Sequence, residues 1–357
     1  MKTCLFFGLL ALGPWLVLPV AAAKFPKITG TPVIDAPPLL DWPLDQGVLT
    51  PNLNDPTADL LHDLHGHIAA ADLVLSTEGN YHMALKDIWP TFLAKFQNAP
   101  LASWFYTTSP PVPIEQIANQ RLQIGNLILT CRPAAVVATR KVMEKLGQAG
   151  LTEGPVLPLY QDRGVVILVK KGNPKGIHSV WDLGRQGVRL ITPNPKLEPG
   201  AFDNYAGSLY HIAEHDKKPP TGMSAARLVS LIFRGKSADP EKWLAGPRIH
   251  HRDLPWSVAY GRADAAIIYY HLGRYTQETF PHLFDLVPLG GSSSDPQPLP
   301  GTIITTRYLV RIKGGWSPMQ LEAREKLVET LLSPEFTRVL EKRGLLRPAP
   351  GTEEERQ

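Results

Sequence analysis

Short apolar runs alternate along this chain with stretches whose apolar residues recur at helical spacing, and Gly- or Pro-bearing turns separate the two. The segment from Leu190 to Ala213 shows the unit complete. Leu190, Ile191 and Thr192 read as a strand, Pro193 to Gly200 as a turn, and from about Ala201 a helix places Ala206, Leu209, Tyr210 and Ala213 on one face. Gly200 stands at the helix entrance, where unpaired backbone N–H groups and the positive end of the helix dipole point the same way, an arrangement that favours an anion.

The unit recurs. Asp72 to Ser76 reads as a strand, Thr77-Glu-Gly-Asn80 as its turn, and Met83, Leu85, Ile88, Trp89, Phe92, Leu93 and Phe96 as a helix that Thr77 or Asn80 can cap. Ser103 to Ser109 is a strand ending in Thr107, Thr108 and Ser109, followed by a helix over Ile114 to Arg121. Further strands are expected at Gly125–Thr130 with Pro133–Thr139, and at Val165–Lys170, Asp264–Tyr270, Leu283–Leu289 and Thr302–Arg311. Helices are expected around Val142–Leu146, at Ala225–Phe233 and Pro255–Tyr260, and in one long amphipathic region over Pro318–Arg343. Such alternation predicts an α/β protein with mostly parallel sheets. Hydroxyls at carboxyl ends of strands are poised over the crevice where open α/β sheets bind ligands; each alone is better explained as helix capping, and it is the three together that favour the crevice.

The beginning of the chain breaks the pattern. Lys2 precedes an apolar run from Cys4 to Val20, and Ala21-Ala22-Ala23 supplies small residues for a cut before Lys24, so residues 1–23 read as a secretory signal peptide, with an uncleaved anchor as the alternative. Residues 24–70 begin as a proline-rich arm, expected to lie on the surface of the first lobe or to be partly disordered. Of the two cysteines, Cys131 is the one outside the signal segment, and it reads as a buried small apolar residue. Some 330 residues remain, right for two lobes. The formal net charge of +4 is dispersed, with no basic run to mark a nucleic-acid surface.

Candidate chemistry is sparse. No Gly-x-Ser-x-Gly elbow, phosphate loop of the Gly-Lys-Ser/Thr kind or catalytic Cys/His pair occurs, which argues against an enzyme. His62, His65 and His67 cluster within six residues and offer a metal-binding or metal-delivery alternative, with His82 as a further candidate; solvated loop histidines are the plainer explanation. His250-His-Arg-Asp253 adds cationic groups before a helix, and Arg252 is expected either to contact a ligand or to pair with Glu78 or Glu198.

Several stretches together resemble molybdate-type periplasmic binding proteins, the type II solute-binding components of ABC importers. They are Leu168-Val-Lys-Lys-Gly-Asn-Pro-Lys-Gly-Ile177, Trp181-Asp-Leu183, Pro193-Asn-Pro-Lys-Leu-Glu-Pro-Gly-Ala201, Gly261-Arg-Ala-Asp-Ala265, Leu332-Ser-Pro-Glu-Phe336 and Gly344-Leu-Leu346. The resemblance covers roughly Asp72 to Pro348. It implies two α/β lobes joined by two crossover strands, the first near Val156–Gly164 and the second near His271–Phe284. Residues 71–157 with 280–357 would then form lobe one, and 158–279 lobe two. It implies an exported, periplasmic, monomeric protein without a cofactor, holding a molybdate, tungstate or sulfate type oxyanion between its lobes and passing it to an ABC-type permease. A small organic carboxylate is the alternative ligand. By position, the resemblance assigns the ligand to Thr77, Gly79 and Asn80, to Thr107, Thr108 and Ser109, to backbone donors at Gly200 and Ala201, and to Tyr269 or Tyr270. Glu78 and Glu198 depart from that pattern, because a carboxylate beside a dianion repels it unless it is paired.

Overall fold

Val74, Val136 and Val310 pack on one side of a sheet while Leu73, Leu75, Ala135, Val137 and Leu309 pack on the other, the period-two alternation of strands covered on both faces. A computed structural model of the protein describes residues 28, 30–34, 64–66, 73–95, 104–107, 113–124, 127–233, 241–246 and 249–348. The expected signal segment, His62, His67, Thr108 and Ser109 lie outside the described residues, as do the side chains of His65 and Thr107.

In chain order the strands are β1 (Val33–Ile34), β2 (Leu64–Gly66), β3 (Leu73–Ser76), β4 (Trp104–Thr107), β5 (Leu122–Ile124), β6 (Leu127–Leu129), β7 (Ala135–Ala138), β8 (Thr152–Gln161), β9 (Val165–Lys170), β10 (Leu190–Thr192), β11 (Trp243–Ala245), β12 (Ala265–Tyr269), β13 (Phe284–Pro288) and β14 (Thr306–Ile312). The helices are α1 (His82–Ala94), α2 (Ile114–Ala118), α3 (Arg140–Gln148), α4 (Pro199–His215), α5 (Ala225–Phe233), α6 (His250–Ala259), α7 (Tyr270–Thr279), α8 (Pro318–Leu332) and α9 (Pro334–Lys342).

Two six-stranded sheets result, ordered β2-β4-β3-β7-β14-β8 and β1-β11-β10-β12-β9-β13, with β5 and β6 forming a separate hairpin. Both sheets are mixed rather than mostly parallel. Within each, β-α units pair in parallel, but β9, β13, β14 and β8 join antiparallel because they carry the chain from one sheet to the other and back. The first passage follows β8 at Asp162–Gly164. The return differs from the expected His271–Phe284. That stretch is α7, packed within the second lobe, and β13 still pairs with β9, so the chain crosses back between Leu289 and Thr305. Val33–Ile34 is also placed differently: it adds a parallel edge strand beside β11 in the second sheet, not a cover on the first lobe.

The long helical region at the end divides at Ser333, whose hydroxyl accepts the Phe336 N–H and caps α9, with Pro334 at its first position. The second lobe's core gathers on Ile167, Leu190, Tyr205, Leu209, Ile267 and Tyr269. Met83 of α1 inserts into it, so the first lobe reaches across the cleft.

Candidate functional site

Strand β12 is buried throughout and delivers Tyr269 to its carboxyl end, between the lobes. Helix α4 fixes that phenol from two successive positions. Asn204 Nδ2 donates to Tyr269 Oη at 2.6 Å, and the neighbouring Tyr205 hydroxyl accepts the Tyr269 N–H at 3.1 Å with its ring edge-on at 4.8 Å. His271 stacks on the other side, ring centres 5.5 Å apart, and His250 approaches edge-on at 6.3 Å. Burial raises the pKa of Tyr269, Tyr205 and Tyr160, so all three remain neutral hydroxyl donors.

From the first lobe comes a buried ion pair. Arg307 of β14 donates from Nε to Glu78 Oε2, and Asn80 Nδ2 reaches the same oxygen at 3.3 Å. Thr77 is fully buried with its hydroxyl donating to Tyr81 Oη at 2.7 Å, and the Tyr81 ring lies 4.6 Å from Tyr160. The carbonyl of Asn80 lies 2.6 Å from His271 Nε2, a hydrogen bond that spans the two lobes. A second interlobe contact stacks His82 of α1 on His251 of α6, ring centres 5.3 Å apart.

Glu198 precedes α4 but turns its carboxylate to α6, where Oε2 accepts the His250 N–H at 2.8 Å and Oε1 lies 2.8 Å from His250 Nδ1. A carboxylate thus occupies the positive end of α6. Below, Asp162 joins the two passages between lobes: it accepts from the Gly164 N–H at 2.8 Å, the Thr305 N–H at 2.9 Å and the Thr305 hydroxyl.

The expected site residues divide accordingly. Asn80 and Tyr269 meet in the cleft, with Gly79 beside Asn80 in a buried single turn. Thr77 is close, but its hydroxyl proton is given to Tyr81. Gly200 and Ala201 form the first turn of α4, where Gly200 is exposed. Tyr270 points away, its hydroxyl donating to the Ser293 carbonyl at 3.1 Å. Arg252 pairs with neither expected carboxylate, because Arg307 takes Glu78 and His250 takes Glu198. The backbone of Thr107 ends β4. Sequence reasoning missed Arg307, Tyr160 and His271, and named His250 only as part of a cationic run. The one available signal was the spacing of β14, where Arg307 stands two residues before Leu309 and so shares its phase. No group of three or more His, Cys, Asp or Glu among the described residues is placed to hold a metal.

Two mixed sheets, a double passage between them and a cluster of buried polar side chains where they meet define a two-lobed architecture. Residues 99–346 match the family described as Bacterial extracellular solute-binding protein, and the chain belongs to that family, whose members are binding components of transport and not enzymes. A stretch of 70 residues is 48% identical to the sulfate-binding protein of Salmonella typhimurium, which is 20% of this chain and 21% of that relative. The chain therefore aligns with about a fifth of the length of this curated relative. Among solved structures, the sulfate-binding protein of Mycobacterium tuberculosis superposes with a TM-score of 0.52 at 16% identity, over 78% of this chain and 88% of that one. The substrate binding protein of the ABC transporter from Agrobacterium tumefaciens gives 0.52 at 10% identity, over 82% and 85%. Among the described residues no helix is long and apolar enough to cross a membrane.

Proposed function

We propose that the protein captures a small oxyanion between its lobes and delivers it to an ABC-type permease, working in the periplasm after export. One observation carries this reading: Arg307 and the neutral hydroxyls of Tyr160 and Tyr269 lie close together in one buried polar cluster between the lobes. An anion taken out of water must have its oxygens satisfied by such donors, or its desolvation dominates. The relatives named for sulfate support the ligand class, as does the resemblance to molybdate-type proteins. Closure over the ligand buries it, and a permease that distinguishes the closed form from the open one acquires a signal of loading.

A small organic carboxylate is the second reading. Glu78 already rests on Arg307, and a ligand carboxylate that displaced it would meet the same guanidinium.

Thermal unfolding against molybdate, tungstate, sulfate, phosphate, small carboxylates and divalent metals tests both. A ligand at ~100 times its dissociation constant stabilises by about 2.7 kcal/mol, a rise of a few degrees. An oxyanion is expected to shift the midpoint, and Tyr269→Phe, which removes a hydroxyl without changing the ring, is expected to reduce the shift. A response to metals alone would sink the oxyanion reading and turn attention to His62, His65 and His67.

A further inference from the structure

We infer that Glu78 is a resident anion on Arg307 which the captured anion replaces, so that binding in this protein is an exchange of anions at one guanidinium. The inference rests on the oxyanion reading above and adds to it a residue that sets affinity by competing for the site.

Arg307 and Tyr160 are register partners on β14 and β8, so their side chains leave the sheet on one face and side by side. Arg307 is 5% exposed, which sets its ion pair apart from the screened pairs of the surface. Of its several N–H groups, the one at Nε has a partner among the described residues, Glu78 Oε2. The Tyr160 hydroxyl beside it is buried and has no partner among the described residues. An acceptor that met both would satisfy two desolvated donors at once, whereas Glu78 meets only the guanidinium.

The acids around this charge are held in different ways. Asp162 lies near enough to feel Arg307, but it accepts from the Gly164 N–H and from the N–H and hydroxyl of Thr305, which fixes it to both passages. Glu78 stands at the head of the Gly79–Tyr81 turn with an extended backbone and makes no side-chain cap bond to that turn. Besides Arg307 it is met by Asn80 Nδ2 at 3.3 Å, beyond the usual range for a strong hydrogen bond. Its side chain is 12% exposed against 6% for that of Arg307, so water lies within reach of a change of rotamer that leaves the backbone in place. A second anion added beside Glu78 would set two like charges together out of water at a single guanidinium, which opposes binding. Asp162 is tied down and Glu78 is not, so Glu78 is the acid that gives way.

Calorimetric titration of the wild type and of Glu78→Gln with sulfate, molybdate and phosphate, and a crystal structure of the wild type with whichever of them binds, test this. Glutamine keeps the shape of glutamate and still offers an oxygen to Arg307 Nε, but carries no charge. Glu78→Gln is expected to bind at least about tenfold more tightly than the wild type, and in the complex the anion is expected on Arg307 and Tyr160 with Glu78 turned to water. An anion bound with Glu78 still on Arg307 overturns the inference, whatever the affinity of the variant, and leaves the oxyanion reading intact. Equal or weaker binding by Glu78→Gln overturns it too, and makes Glu78 a brace for the turn whose Asn80 carbonyl meets His271. Should the variant fail to fold by circular dichroism, the position of Glu78 in the wild-type complex decides. Binding of none of the three anions by either protein overturns both readings together.

Discussion

Asp162 accepts three hydrogen bonds in a buried position, all from groups on the two passages between lobes, yet burial still lifts its pKa to about 6. The ordinary value is ~3.9. Between these two values the native protein holds a proton that the unfolded chain has released. The site's contribution to stability is therefore complete below ~3.9, declines as pH rises, and is gone above about 6. Urea unfolding of the wild type and of Asp162→Asn, measured across that window, should show a difference in stability that slopes with pH and levels off near neutrality. A difference that stays flat would mean that Asp162 does not titrate there. Single residues also mark what the sequence disclosed. Tyr269 was reached, with Tyr270 as its alternative, through the family resemblance rather than through the strand pattern. Arg307 was not, because an arginine in a strand reads as a solvent-facing position until its acid partner is known, and Glu78 lies far away in the chain. His271 was equally hidden, its task being fixed by a backbone carbonyl on the other lobe.

Elements repeat the lesson at larger size. Helix α6 begins at His250 rather than at Pro255, because a carboxylate from before α4 caps it, and nothing in the local pattern announces a cap borrowed from another element. Strand β13 was expected in the first lobe. Its residues are as apolar as any, and only its pairing with β9 decides which sheet owns it. The return passage that follows lies against α4, where the Ile303 N–H donates to the Ser208 hydroxyl at 3.0 Å. Gly301 makes this close approach possible: its φ is +90°, and a Cβ there would stand 2.4 Å from the His211 carbonyl oxygen. Gly301→Ala should destabilise the fold by about 2 kcal/mol or more, through strain and contact with rigid backbone, read from the urea midpoint. An unchanged midpoint would mean that the passage is free to lift from α4. At the other edge of the same sheet, β1 shields the backbone of β11. Deleting Val33 and Ile34 should speed hydrogen exchange at the facing β11 edge around Leu244 and Ala245, while β12, in the interior of the sheet, stays protected.

Taken whole, the molecule is held closed by groups that must stay uncharged. His251 lies buried against His82 of the other lobe, with His250, Arg252 and His271 near enough to oppose a further positive charge; burial first, and these neighbours second, hold its pKa well below the histidine range. His271, which bonds Asn80 across the cleft, is pushed down to about 3 by burial, with Arg307, His82 and His250 adding to the effect and the Asn80 carbonyl opposing it. Tyr275 closes over His82 edge-on at 5.3 Å, and Glu198 is committed to His250. When the lobes part, these rings meet water and return toward an ordinary value of ~6.5. Open molecules then bind protons that closed ones refuse, so closure is fully favoured above ~6.5 and loses ground as pH falls below it. Small-angle scattering of the ligand-free protein should accordingly show a growing radius of gyration as pH is lowered from about 8 to about 5, the range in which exposed histidines titrate. His271→Gln is expected to blunt the change, because its amide can still donate to the Asn80 carbonyl but has nothing to titrate. A radius that holds constant over the whole range, with the fold intact by circular dichroism, would show that the imidazoles do not govern closure. An equal response in His271→Gln would move the effect to His251 and the α1–α6 contact.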